Sequence, residues 1–242
     1  MIAIETKQLT KHYDAIIAVD NFTLSIPSGE FFALLGENGA GKTTAVKMLC
    51  CLTPPTSGEA WLLGDSILTS PNAVKQKTDI SPQETAIAPA LSVRENLELM
   101  ARIYRIPPEK VTIKVDALLE DLGLAEQAQQ RAKTLSGGMQ RRLSIAMALI
   151  SDPEILFLDE PTLGLDVRAR RKLWKTLLAL KGRTTVVLTT HYMEEAEALA
   201  DRIGVISRGK LQAAGNVAHL KSVTQTDSLE DAFLKLTDME ML

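Results

Sequence analysis

Gly36-Glu37-Asn38-Gly39-Ala40-Gly41-Lys42-Thr43 is the stretch on which the fold turns. It follows the pattern G-x-x-x-x-G-K-[ST]. The apolar run Phe31-Phe32-Ala33-Leu34-Leu35 precedes it and reads as a strand buried on both faces. A helical pattern from Lys42 to Leu52 follows it. A strand, a glycine loop and a helix in that order can wrap a phosphate chain in backbone N–H groups. Side chains must then be absent at Gly39 and Gly41, and the positive end of the helix faces the same phosphates. Lys42 is placed to neutralise β- and γ-phosphates, and the Thr43 hydroxyl to ligate Mg²⁺. The alternative, a glycine turn opening an ordinary helix, does not require the lysine.

Downstream, Ile155-Leu156-Phe157-Leu158 is a second buried strand, ending in Asp159-Glu160. Carboxylates at the C-terminal end of a parallel strand stand where ligands bind. Asp159 can hold Mg²⁺, and Glu160 can orient and deprotonate an attacking water. Adjacent acids in a low dielectric repel each other, which Mg²⁺ and Lys42 would offset. Capping of the next helix is the plainer reading of this pair; the phosphate loop outweighs it.

Around these two strands the chain alternates. Ile2-Ala3-Ile4-Glu5 and Phe22-Thr23-Leu24-Ser25-Ile26 have a period of two and read as half-buried strands. Residues 92–150 read as mostly helical, with Val93, Leu97, Met100 and Tyr104 at helical spacing. Helices are expected over 167–180 and 193–200, and strands over 184–190 and 203–207. This order predicts an α/β core with a parallel sheet, a small antiparallel layer at the N-terminus and a helical insertion.

Leu135-Ser136-Gly137-Gly138-Met139-Gln140 opens another helical pattern. Free N–H groups and a serine hydroxyl make it a second anion-binding helix start, but it brings no lysine. The chain thus carries one complete phosphate cradle and one orphan. Alone, Ser-Gly-Gly is an ordinary helix cap.

Together with the phosphate loop, this segment resembles the signature of the ATP-binding cassette (ABC) ATPases, and the resemblance covers nearly the whole chain. It implies an α/β P-loop NTPase fold with ATP and Mg²⁺ as ligands. It places the nucleotide against Gly36, Glu37, Asn38, Gly39, Ala40, Gly41, Lys42, Thr43 and Thr44. In that family the signature of one subunit binds the γ-phosphate of ATP held by the other. Ser136, Gly137 and Gly138 would then serve a partner's nucleotide. Tyr13 resembles the aromatic that stacks on adenine. Gln83, in Ser81-Pro82-Gln83-Glu84, resembles the glutamine that touches Mg²⁺ and water. Gly164-Leu165-Asp166 resembles the loop crossing the dimer interface, and His191 resembles the switch histidine at the γ-phosphate. By resemblance the catalytic set is Glu160, His191 and Gln83, and the metal set Thr43, Gln83 and Asp159.

Composition narrows the class. The chain has 242 residues, 45% hydrophobic and 24% charged, enough apolar material for a sizeable core. No run approaches the ~20 apolar residues that a membrane-spanning helix needs. The start of the chain does not read as a secretory signal. Cys50 and Cys51 are adjacent, cannot form a disulfide framework and are expected to pack late in the helix after the phosphate loop. A reducing, cytoplasmic compartment is the simplest reading. Net charge is −3, with five acids and one lysine over 225–242 and a nearly neutral body. No basic field points to nucleic acid. The basic run Arg168, Arg170, Arg171, Lys172 and Lys175 reads as a solvated helix face, with lipid headgroups or nucleic acid as minor alternatives. Trp174 is expected to pack.

Within the family, Gln83 to Leu135 is too short for the coiled-coil arm of chromosome-type members, and a single set of motifs excludes two cassettes. The resemblance therefore implies one ABC ATPase domain over 1–224, with a helical subdomain at about 84–150. It implies a second ATPase subunit and separate membrane-spanning permease subunits, which would hold the chain at the inner face of the cell membrane. Residues 85–96 would meet their coupling helices. A short amphipathic tail over 225–242, with Leu229, Ala232, Phe233 and Leu236 on one face, resembles the drug-, antibiotic- and sodium-export branch, as does the lack of a further regulatory domain. An import ATPase and a soluble scaffold ATPase, as in iron–sulfur cluster assembly, are the alternatives.

Overall fold

A computed structural model describes residues 1–238, so the last four residues of the expected tail lie outside the described residues. The chain opens as a hairpin of β1 (Ile2–Tyr13) and β2 (Ile16–Pro27). Alternation turns Ile4, Phe22 and Ile26 inward, and a register irregularity after Thr6, where Gln8 takes φ 49°, brings Leu9 inward as well. β3 (Phe31–Leu35), the glycine loop and α1 (Lys42–Leu49) follow. β4 (Ser57–Leu62) and β5 (Asp65–Ser66) return to the hairpin and complete an antiparallel sheet of order β2-β1-β4-β5. α2 (Pro71–Lys77) leads into β6 (Thr78–Ser81). Three helices come next, α3 (Val93–Ile103), α4 (Pro108–Asp121) and α5 (Gly137–Leu149). The remainder alternates: β7 (Ile155–Asp159), α6 (Val167–Leu178), β8 (Thr185–Thr190), α7 (Met193–Leu199) and β9 (Arg202–Ser207). β10 (Lys210–Gly215), α8 (Val217–Thr224) and α9 (Leu229–Asp238) end the described chain.

The second sheet has the order β10-β9-β3-β8-β7-β6. All its pairings are parallel except that of β10 with β9. Its three central strands, β3, β8 and β7, are buried throughout, as the apolar runs of β3 and β7 predict, while β6 and β10 at the edges are partly exposed. Phe32, Phe157 and Val187 turn toward the antiparallel sheet and α1. Phe31, Leu156, Leu158, Val186 and Leu188 turn toward α3, α5 and α9, where Leu229, Phe233 and Leu236 complete the layer.

Register positions the site. Leu35 pairs with Thr190, and Asp159 with Thr189. The segments beginning at Gly36, Glu160 and His191 therefore leave three adjacent strands at one edge, at their C-terminal ends.

Some helix ends differ from the periodic pattern. α1 stops at Leu49 rather than Leu52, because Cys51 adopts a left-handed φ of 53°. Cys50 is buried at the cap, and Cys51 is half-buried in the turn beyond the helix. α6 stops at Leu178, two residues early.

Candidate functional site

The glycine loop bends as a phosphate cradle must. Gly39 has φ +82° with open space around it, so backbone conformation alone demands glycine there. Gly41 has φ +105°, and a Cβ on it would meet the Ala18 carbonyl oxygen at 2.3 Å. Asn38, Gly39, Ala40, Gly41, Lys42, Thr43 and Thr44 line a cavity of about 370 Å³ together with Gln83, Glu160 and His191. Ile16, Ile17, Ala18 and Leu163 complete its wall, four residues that the motifs did not single out.

The charged groups are paired. Lys42 Nζ lies 3.1 Å from Glu160 Oε1, and it donates to the carbonyls of Gly36 (2.8 Å) and Glu37 (3.0 Å). Glu160 Oε2 is 2.7 Å from His191 Nδ1. Both Lys42 and Glu160 are buried. Asp159 Oδ1 accepts from Thr43 Oγ1 at 3.1 Å and from Thr189 Oγ1 at 2.5 Å. The two adjacent carboxylates are thus held apart on different partners, Asp159 on two hydroxyls and Glu160 on the Lys42 ammonium and the His191 imidazole. Glu160 sits at φ +49°, and its N–H donates to Thr189 Oγ1 at 3.0 Å.

Other expected residues lie elsewhere. Tyr13 does not line the cavity; it is half-exposed at the end of β1, with Lys11 Nζ 5.1 Å from its ring centre. Ile16 and Ile17, just across the hairpin turn, take the wall position instead. Ser136, Gly137 and Gly138 are also outside the cavity, at the start of α5, where the Ser136 hydroxyl accepts from Met139 N at 3.4 Å. Ser136 and Gly137 are exposed. Asp166 caps α6, accepting from Arg168 N (2.8 Å) and Ala169 N (3.0 Å). Those backbone donors hold its carboxyl below the usual range.

Residues 19–163 match the family model described as ABC transporter. The daunorubicin/doxorubicin resistance ATP-binding protein of Streptomyces peucetius is 40% identical over 91% of this chain and 67% of its own length. The chain belongs to the ABC transporter ATPase family. The Nod factor export ATP-binding protein I of Burkholderia pseudomallei is 42% identical, over 88% of this chain and 70% of that protein. ATP-binding cassette sub-family A member 7 of Rattus norvegicus is 45% identical, but this chain spans only 10% of its length. The solved structure of an ATP-binding subunit of an ABC transporter superposes with TM-score 0.87, at 26% identity over 97% of this chain and 99% of that one. A dimeric, post-hydrolysis ABC cassette bound to ADP and Pi superposes with TM-score 0.80, at 29% identity over 88% of this chain and 98% of that one. The α/β ATPase fold, ATP binding and ATPase class expected from the motifs follow.

The ABC ATPase site has supports that the motifs did not show. Arg141, on α5, is buried and donates to four backbone carbonyls. These are Asp159 (2.6 Å), Pro161 (3.0 Å), Gln83 (3.4 Å) and Pro82. Burial pulls its pKa down to about 10, which leaves it charged at neutral pH. Arg170 leaves the basic run expected to be solvated: it stands 4.6 Å over the Tyr192 ring and 3.9 Å from Glu194. Trp174 does more than pack, since its Nε1 donates to buried Glu195 at 3.2 Å. Burial raises the Glu195 carboxyl, against the opposing pull of the Trp174 donor and the neighbouring threonines. No sequence signal distinguishes these residues from surface charges, because helical spacing does not report what covers a side chain.

Proposed function

We propose that this chain is the ATP-hydrolysing subunit of an exporter and acts as one half of a dimer. The observation that carries this is the separation of its two cradles. Lys42, Glu160 and His191 share one cavity, whereas Ser136, Gly137 and Gly138 lie outside it, the first two exposed and Gly138 half-buried. A second ATPase subunit would bring its own Ser136–Gly138 segment over ATP held by Lys42. The dimeric cassette with ADP and Pi supports that arrangement.

The γ-phosphate would compete with Glu160 for Lys42, and Glu160 would then be free to accept a proton from water. His191 and Gln83 would position that water and the phosphate. Thr43, in the cavity lining, and buried Asp159 behind it offer hard oxygen donors 3.1 Å apart, and these fit Mg²⁺, which takes few protein ligands beside substrate phosphates. When bound, the ion would draw charge from the phosphoryl oxygens. Tyr13 and Asp166 are proposed as contacts that ATP and the partner subunit complete.

Closing and opening of the dimer would drive export through separate membrane-spanning subunits, which hold the chain at the inner face of the membrane. Among the described residues no helix is long and apolar enough to cross a membrane. The relative named for Nod factor export supports the outward direction. Glu160→Gln tests the reading. It should bind ATP, hydrolyse it about 10²–10⁴-fold more slowly and accumulate as a dimer in size-exclusion chromatography. Full activity in that variant would remove Glu160 as the base.

A further inference from the structure

Arg141 joins three segments that the reaction needs. On one side it brackets Glu160: it donates to the carbonyls of Asp159 and Pro161, immediately before and after. On another it donates to Pro82 and Gln83, the segment that carries the candidate water-positioning glutamine. It does so from α5, whose first residues are the orphan cradle. Arg142, the next residue, faces away and holds Leu122 (2.6 Å) and Gly123 (2.8 Å).

We infer that Arg141 is a positioning residue that links the two ATP sites of the dimer. A partner's γ-phosphate docking on Ser136–Gly138 would shift α5 along or about its axis. A helix moves as a rigid body, so the guanidinium moves with it. Its carbonyl partners then carry that shift to the peptide holding Glu160 at φ +49° and to Gln83. Small displacements at that carboxylate matter because catalysis needs near-attack geometry. The inference rests on the composite-site reading of Ser136–Gly138.

Arg141→Gln and Arg141→Lys in the purified full chain test it, with folding verified by circular dichroism. Arg141→Gln is expected to keep its affinity for a fluorescent ATP analogue within about two-fold and to lower kcat about ten- to a hundred-fold. The Hill coefficient for ATP should fall from about 2 to about 1. Arg141→Lys keeps the charge and should recover part of kcat. A purely structural arginine would instead lower thermal stability and leave the Hill coefficient unchanged, which overturns the inference. Should neither variant fold, hydrogen exchange on the otherwise unaltered Glu160→Gln chain replaces them. ATP should slow exchange at residues 83–86 and 160–163 together, and the added Ser136→Arg change should abolish that slowing. Slowing that survives Ser136→Arg overturns the link. The composite site is judged separately: if Glu160→Gln forms an ATP-dependent dimer that Ser136→Arg abolishes, that reading stands whatever Arg141 does. If no such dimer forms, both readings fall.

Discussion

At the scale of the residue, the site is a set of charges paired within the chain. Glu160 is held between Lys42 at 3.1 Å and His191 at 2.7 Å, so ligand binding exchanges partners rather than desolvating bare charges. Glu195 shows the cost of a buried acid. Its carboxyl is raised from an ordinary 4.5 by burial. A raised acid binds its proton more tightly when folded, so its stabilising contribution is present below 4.5 and is lost as pH rises through the raised value. Relative to the parent, Glu195→Gln should therefore gain thermal stability as pH rises from about 4 to about 8. Melting curves across that range check it; a difference that does not change with pH would show that Glu195 titrates normally. Lys42, Thr43, Asp159 and Glu160 were legible in the sequence because their spacing after glycines and an apolar strand is itself the chemical requirement. Arg141 and Glu195 were not, since a charged residue on a helix reads as solvated until its cover is known. Ile16 and Ile17 were not legible either: Tyr13 was expected at the nucleotide by resemblance, and the two isoleucines beside it across the hairpin turn line the cavity wall.

Among the elements, the alternation of strands and helices was legible almost throughout, because β3 and β7 are unbroken apolar runs and β8 is a largely β-branched one. Ends were less so. The apolar pattern of α1 runs on past Leu49, but the left-handed turn at Cys51 stops the helix. The loop before α3 shows another limit. Residues 85–96 are the segment proposed to meet the membrane subunits, and Asn96 at its end is fully buried. Its side chain accepts from Ala88 N at 2.7 Å and donates to the carbonyls of Ala88 (3.1 Å) and Ser92 (2.8 Å). Asn96 therefore shapes the loop from within, beside the capping box of Ser92 and Glu95. Removing it leaves buried loop groups unpaired. Asn96→Ala should cost about 1–3 kcal/mol in denaturant unfolding and loosen the loop. A change below a few tenths of a kcal/mol would mean that water takes over these bonds.

For the whole molecule, the register of β3, β7 and β8 gathers the phosphate loop, the carboxylate pair and His191 at one edge. The acidic tail joins the fold as α9, where Leu229, Ala232, Phe233 and Leu236 face the core and Glu230 and Asp231 favour the first helical turn. What the molecule does not do is bring its signature segment to its own phosphate loop. That absence at the cavity is the basis for reading the chain as half of a shared site, and mixing two inactive chains tests it most directly. Lys42→Ala alone and Ser136→Arg alone should each fail to form ATP-dependent dimers and to hydrolyse ATP at the parental rate. Mixed, they should form heterodimers with one intact site, recovering ATP-dependent dimers and part of the hydrolysis. If the Ser136→Arg chain alone binds, closes and hydrolyses like the parent, the site is complete within one chain and the shared site is contradicted.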